Sequence, residues 1–289
     1  MKKYKAILFD WDGTAVVSRK ASAKEAIAAM KPLLAKGVPL AIISGTTYEN
    51  IAGGKLETFF TKDELQNLYL GLGRGAYQYA FTEEGSPYIF ENLIPAKEEL
   101  LQIHDLCFQI HQYLLREYDF STDIVFTRPN YCKIDLMPEL DRGDQLFMQS
   151  DELTSLKQKL DGHGIEGGLQ SLLDLAQKLG KEKGFFVLST CDAKYLEVGI
   201  SSKSDNADLI MEKLIVRGIS PKECAFWGDE YVGIEKSIFG SDSFMLTDKT
   251  KEADFFDVSS VEGERPDKIK VLGGGVETFL NFLREQANL

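Results

Sequence analysis

The stretch "FDWDGT" at residues 9–14 places two carboxylates, Asp10 and Asp12, one residue apart behind the apolar run Ala6, Ile7, Leu8. At a strand end two such groups repel each other and lose hydration, so a cation or a proton has to compensate them. Three further positions share this setting. Ser44 and Gly45 close the apolar run "VPLAIISG", Lys203 precedes the helical pattern "SDNADLI", and Asp229 with Glu230 close "CAFWGDE". Asp10, Asp12 and Asp229 offer the hard oxygen donors that suit Mg2+, which takes few carboxylates and leaves room for substrate phosphate. Ser44, with the backbone N–H groups beside it, can hold a phosphate near a helix start, and Lys203 adds a compact positive charge. Each feature alone has a plainer reading. Acids with glycine make turns or open calcium loops, Ser-Gly-Thr caps helices, and most lysines are solvated. Together, each at the end of a buried strand or the start of a helix, they predict a phosphoryl-transfer site.

The elements that carry these residues read as an α/β protein. Residues 4–10 form a buried strand, "SAKEAIAAMKPLLAKG" an amphipathic helix stopped by Gly37, "VPLAIISG" a second strand and "LYLGLG" a third. Apolar strands alternating with helices mark a parallel sheet covered on both faces. The rhythm then changes. "AYQYAF" and "SPYIFEN" suggest a hairpin, residues 96–118 a long helix, and "DIVFTRPNYCKIDLMP" two strands around the turn at Pro129 and Asn130. "QSDELTSLKQKL" and "GLQSLLDLAQKLG" read as helices, "GFFVLSTC" and "KYLEVG" as strands. The parallel rhythm resumes with the helix "KSDNADLIMEKLIVRG", the strands "CAFWGDE" and "SFMLT", and the helix "GGGVETFLNFLREQ". The expected fold is a Rossmann-like, doubly wound parallel-sheet core of residues 1–83 and 198–289, with an α+β domain of residues 84–197 inserted in it. In such sheets ligands bind beyond the carboxyl ends of the strands, where all four features fall.

Composition limits the partners. The 289 residues carry a net charge of -12, and no Lys/Arg cluster offers the phosphate neutralisation that nucleic acid requires. The apolar part of "MKKYKAILFDWDG" is too short for a signal-peptide core, and no later run approaches a membrane span of about 20 apolar residues. A cytoplasmic protein without a membrane partner is expected. Cys107, Cys132, Cys191 and Cys224 lack metal-ligand spacing and read as reduced core thiols. His104 and His111 have no acidic partner set, His163 lies in a glycine-flanked turn, and "GLGRG" at 71–75 reads as a turn rather than a dinucleotide loop.

"DWDGT", "IISGT", Lys203 and "WGDE" resemble the four motifs of the haloacid dehalogenase-like (HAD) phosphohydrolases, in that family's order and sheet positions. The insert resembles the domain-sized cap of the Cof-type and sugar-phosphatase branch, and "TRPNYCKIDLMP" is similar to a cap segment of phosphomannomutases. The resemblance implies a Mg2+-dependent phosphatase acting on a small phosphorylated metabolite such as a sugar phosphate. It makes Asp10 the nucleophile that becomes an aspartyl phosphate, and Asp12 the general acid and base. Mg2+ would be held by the Asp10 side chain, the Asp12 carbonyl and Asp229. A phosphomutase using the same intermediate, or a binding protein on the same fold, are the other readings; the presence of Asp10, Asp12, Lys203 and Asp229 disfavours the latter. In one place the chain departs from the pattern. Val232 and Gly233 stand where that branch has an Asn-Asp pair, which leaves Glu230 as the expected substitute.

Strand alternation also sorts the inserted hairpin. Cys132, Ile134 and Leu136 face one way, towards the helices of the insert, and Tyr131, Lys133, Asp135 and Met137 the other. With Glu197 on a neighbouring strand, Lys133 and Asp135 are the expected substrate-specificity residues, the other reading of that face being a solvated one.

Overall fold

The computed structural model describes residues 2–18, 20–141, 150–192 and 194–289, without the side chains of 150 and 151. The chain runs through β1 (Ala6–Phe9), α1 (Lys24–Ala35), β2 (Leu40–Ser44), α2 (Lys62–Leu65), β3 (Leu68–Leu72), β4 (Tyr77–Phe81) and β5 (Pro87–Asn92). It continues through α3 (Lys97–Tyr118), β6 (Asp123–Val125), β7 (Tyr131–Asp135), α4 (Ser150–Gly162), α5 (Gly168–Glu182), β8 (Leu188–Cys191) and β9 (Tyr195–Gly199). It ends with α6 (Lys203–Val216), β10 (Cys224–Gly228), β11 (Gly233–Glu235), β12 (Ile238–Phe239), β13 (Asp254–Asp257), β14 (Ile269–Val271) and α7 (Gly275–Ala287). Gln149 of the expected helix "QSDELTSLKQKL" lies outside the described residues.

Two compact units emerge. The first holds Met1–Leu93, Lys203–Val232 and Asp242–Leu289; the second holds Ile94–Ser202 and Gly233–Ser241. The first unit is built on an eight-stranded sheet in the order β14-β13-β10-β1-β2-β3-β4-β5. Its first six strands are parallel, and β4 and β5 add antiparallel pairs at one edge. Period-two alternation explains why β1 is apolar throughout: Ile7 and Phe9 pack with Met30 of α1 and Phe279 of α7, whereas Ala6 and Leu8 pack with Ile210 and Leu214 of α6. Ile7, Leu8 and Phe9, fully buried, contribute about 1.5–3 kcal/mol each. Both faces of the sheet are therefore covered, as an α/β doubly wound fold requires. The chain leaves β1 towards β2 on one side and returns to β10 on the other, so the sheet's switch point, where a crevice forms beyond the carboxyl ends, lies at β1.

The second unit contains a four-stranded antiparallel sheet, β6-β7-β9-β8. Cys132, Ile134 and Leu136 are buried in one cluster with Ile103, Leu106 and Ile110 of α3, as the alternation of β7 predicts, whereas Met137, expected on the other face, enters the same cluster because β7 ends at Asp135 and the alternation ends with it. The β11-β12 hairpin joins this unit: Ile238 enters the same cluster, and Glu235 accepts a hydrogen bond from the Gln170 N–H at 3.2 Å in the first turn of α5.

Several local expectations differ from the structure: residues 198–202 and 233–241, expected in the core, belong to the second unit. Residues 84–93 stay with the first unit, because Pro87–Asn92 pairs with β4 as the outermost strand of the large sheet. "SFMLT" does not form a strand. Ser241–Met245 winds as a short 3-10 turn, because Asp242 points inward to accept backbone N–H groups, and Asp254–Asp257 takes the place beside β10.

Candidate active site

The first unit gathers the site at the carboxyl ends of β1, β2 and β10 and the start of α6. The Asp10 N–H donates to the Trp227 carbonyl at 2.9 Å, which carries the pairing of β1 and β10 one residue further and brings Asp10 beside the Gly228-Asp229 bend. Past Asp12 the chain turns back sharply. Gly13 takes φ +90°, and the Trp11 carbonyl accepts from the N–H groups of Ala15 and Val16 at 2.9 and 3.0 Å. That turn buries Thr14, whose hydroxyl donates to Asp229 Oδ1 at 2.6 Å.

Lys203, at the first position of α6, is buried and makes two ion pairs: its Nζ lies 2.9 Å from Asp10 Oδ1 and 2.8 Å from Asp242 Oδ1. The other oxygen of Asp242 accepts from the backbone N–H groups of Asp229 and Glu230 at 2.9 and 2.8 Å. Asp10, Asp229 and Asp242 each present a carboxylate oxygen within 4.8 Å of the others. Burial pushes the Asp10 carboxyl well above the ordinary range, against the pull of Lys203 and with the help of Asp242 and Glu230. Burial and the charges of Asp242 and Asp10 do the same to Asp229. Burial works against the Lys203 ammonium, but Asp10 and Asp242 outweigh it and hold its pKa well above the usual lysine value. The cluster thus has more negative charge than one lysine satisfies.

This donor set fits magnesium. Its three carboxylates are hard oxygen donors close enough to share one ion, and Asp229 Oδ2 is buried with no hydrogen-bond partner among the described residues. Beside it, Ser44 is buried at the end of β2 and accepts from the Thr46 N–H at 3.3 Å, with Gly45 between them. The Thr46 hydroxyl is buried and has no hydrogen-bond partner among the described residues.

Of the residues marked from the sequence, Asp10, Asp229 and Lys203 meet in this cluster, and Ser44 and Gly45 stand at the neighbouring strand end. Asp12 sits half-buried in the turn after β1 and is not one of the three mutually close acids. Glu230 offers its N–H to Asp242, and its carboxylate is also outside the trio. The acid that joins Asp10 and Asp229 is Asp242, which sequence reading missed because a hairpin separates it from Asp229; its only signal was an acid in the turn "GSDS".

In the second unit, β7 and β9 set Lys133 opposite Glu197 and Asp135 opposite Tyr195. Lys133 Nζ lies 2.7 Å from Glu197 Oε1 and 4.7 Å from the centre of the Tyr195 ring. The Thr190 hydroxyl donates to Glu197 Oε2 at 3.1 Å, and Asp135 pairs with Lys194 at 2.9 Å. Burial opposes the Lys133 charge, but Glu197 more than offsets it and raises its pKa. Away from these rows, His111 hydrogen-bonds Thr122 at 2.7 Å and His163 the Tyr118 carbonyl at 2.9 Å.

No family model and no curated protein matches the chain. Solved structures do. IMP-bound, N-terminally truncated IMP-nucleotidase of Plasmodium falciparum superposes with a TM-score of 0.58 at 14% identity, over 98% of this chain and 68% of that one. Sucrose-phosphatase from Synechocystis, in complex with sucrose and phosphate, gives 0.55 at 13% identity over 99% of both chains. At this identity the likeness establishes the fold alone, an α/β fold that this chain shares with the IMP-nucleotidase and the sucrose-phosphatase.

Proposed function

We propose that the chain is a magnesium-dependent phosphatase of the HAD type, cleaving a small phosphorylated metabolite through an aspartyl phosphate on Asp10. One observation carries the reading: a buried Asp10, ion-paired to Lys203, shares a close acid cluster with Asp229 and Asp242 beyond the carboxyl ends of β1 and β10. Its support also includes the two phosphatase neighbours, one of them holding sucrose and phosphate.

Asp10, Asp229 and Asp242 would hold Mg2+, which when bound offsets their charge and polarises the phosphoryl oxygens. Ser44, Gly45 and Lys203 bind the phosphoryl group. Asp10 attacks phosphorus; the bond from its carboxylate oxygen to phosphorus forms as the bond to the leaving oxygen breaks. Asp12 delivers a proton to that leaving oxygen, then takes one from the water that attacks the aspartyl phosphate, releasing orthophosphate and restoring Asp10. The first unit serves as the catalytic core and the second as the cap, in a branch with sugar phosphatases. A cytoplasmic setting suits the four buried cysteines, which no disulfide joins among the described residues. Among those residues no helix is long and apolar enough to cross a membrane.

Orthophosphate release from a panel of phosphorylated sugars and nucleotides tests this reading. Hydrolysis is expected with magnesium and none in excess chelator; full activity in chelator overturns the magnesium role. Transfer of the phosphoryl group to another hydroxyl, without free phosphate, turns the reading to a mutase.

Lys133, Asp135 and Glu197 are assigned to the leaving group, whose hydroxyls suit a paired ammonium and carboxylate. Lys133→Ala alone would strand a buried Glu197 carboxylate, so Lys133→Met with Glu197→Gln is the better probe. It is expected to lower kcat/KM on the best metabolite by about 10- to 100-fold, the size of one or two lost charged contacts, and to change hydrolysis of a small aryl phosphate far less. Equal losses on both substrates would remove these residues from substrate selection.

A further inference from the structure

Asp10, Asp229 and Asp242 against Lys203 leave the cluster with two negative charges, which one divalent cation neutralises. A phosphate monoester arriving there brings up to two more. Lys203 and Arg74 are both buried cations of the first unit.

Arg74 occupies an unusual backbone position. It adopts φ +54° between Gly73 at +67° and Gly75 at +92°, three consecutive left-handed residues in which only arginine carries a Cβ. Glycine would take this conformation without strain, so an arginine held there against its preference points to a role for its side chain.

The loop is fastened to the phosphate elements from both sides. β3 and β2 pair through Leu72 and Ser44, and the Gly73 N–H donates to the Thr46 carbonyl at 2.9 Å. The Gly75 N–H donates at 2.7 Å to Asn206 Oδ1, whose residue is fully buried three positions beyond Lys203 on α6. A methyl group on Gly45 would stand 3.5 Å from Arg74 Cγ, so the arginine stem lies against the Gly45 backbone. The Thr46 hydroxyl in the same turn, buried and without a hydrogen-bond partner among the described residues, is a second sign of a polar ligand.

We propose that Arg74 is a phosphate-contacting residue, whose guanidinium, with Ser44, Gly45, Thr46 and Lys203, binds the non-bridging oxygens of the substrate phosphoryl group. A guanidinium fork pairs with two phosphate oxygens at once, which an ammonium cannot do. The assignment rests on the phosphatase reading above and adds to it the charge that meets the phosphoryl group after the metal has offset the acids.

The test compares the full chain with its Arg74→Gly and Arg74→Lys variants, in magnesium, by calorimetric titration with orthophosphate and by hydrolysis of an aryl phosphate. Arg74→Gly removes the guanidinium and also relieves the left-handed strain, so its thermal midpoint is expected to equal or exceed that of the parent. Its orthophosphate affinity and its kcat/KM are expected to fall about 10- to 100-fold, the weight of a charged hydrogen-bonded contact. Arg74→Lys keeps the charge and the backbone preference and is expected to recover part of that loss. Orthophosphate affinities of both variants within twofold of the parent overturn the role of Arg74 alone. A parent chain that neither binds orthophosphate nor hydrolyses the ester overturns the phosphatase reading and this assignment with it.

Discussion

Asp10→Asn is expected to cut turnover by about three or more orders of magnitude while the chain stays folded, because the substitution removes the proposed nucleophile and little else. Residues acting as a unit show losses of that size when one member is removed. The carboxamide has nearly the carboxylate's shape and keeps an oxygen for the Lys203 ammonium, which also retains Asp242 at 2.8 Å. Stability should not suffer. A carboxyl whose folded pKa is raised destabilises the fold once pH exceeds its unfolded value, so replacing it with a neutral group relieves that penalty at neutral pH, and the relief fades as pH falls below about 4. The thermal midpoint in chelator is therefore expected to match or exceed that of the parent. Near-normal phosphate release by Asp10→Asn would overturn its role, and a collapsed midpoint would mean that its carboxylate is structural.

Much of this arrangement was legible in the chain because the informative residues terminate apolar runs. Ile7 to Phe9 and Cys224 to Trp227 could only be buried strands, so Asp10 and Asp229 had to emerge together at one end of a parallel sheet. Ser44 was legible for the same reason, and Lys203 because a helical pattern begins with it. The alternation of Cys132, Lys133, Ile134 and Asp135 also sorted the two faces of β7 correctly, since a strand has no other way to bury every second residue.

What stayed hidden depends on contacts between segments far apart in the sequence. "SFMLT" carries the composition of a strand, yet the long-range hydrogen bonds from the Asp229 and Glu230 N–H groups to Asp242 overrode it. Pro87–Asn92 is exposed along most of its length, so nothing in its pattern tied it to the large sheet rather than to the insert. Arg74 lay within a stretch that reads as a turn; the turn is present, but the fact that it abuts Gly45 and Asn206 belongs to the tertiary structure.

Asp242 is where sequence and structure diverge most for the site, and its replacement carries the second large expected effect. Asp229 belongs to the first unit, the next residues but three form the β11-β12 hairpin of the second, and the chain re-enters the first unit at Asp242. The acid is thus separated by a whole hairpin, yet its carboxylate closes the Asp10 and Asp229 cluster. Asp242→Ala removes one of three oxygen donors, one of the two carboxylates on Lys203, and the acceptor for two backbone N–H groups. Each orphaned N–H costs about 1–3 kcal/mol and lets the Gly228 to Glu230 bend relax, so Asp229 would lose its aim as well. Magnesium affinity, followed by calorimetry, is expected to fall about 100-fold or more and turnover by a similar factor, at or beyond the losses typical when a metal's supporting shell is disturbed. A second variant reaches the same carboxylate from the other side. A Cβ on Gly228 would stand 2.4 Å from Asp242 Oδ2, so Gly228→Ala must displace that group and is expected to reproduce the loss with every acid still present. Glu230→Ala, which leaves the backbone N–H in place, is expected to cost far less. If Asp242→Ala binds magnesium and turns over substrate like the parent while Glu230→Ala does not, the third acid of the site is Glu230, and the buried contacts of Asp242 serve only to shape the bend.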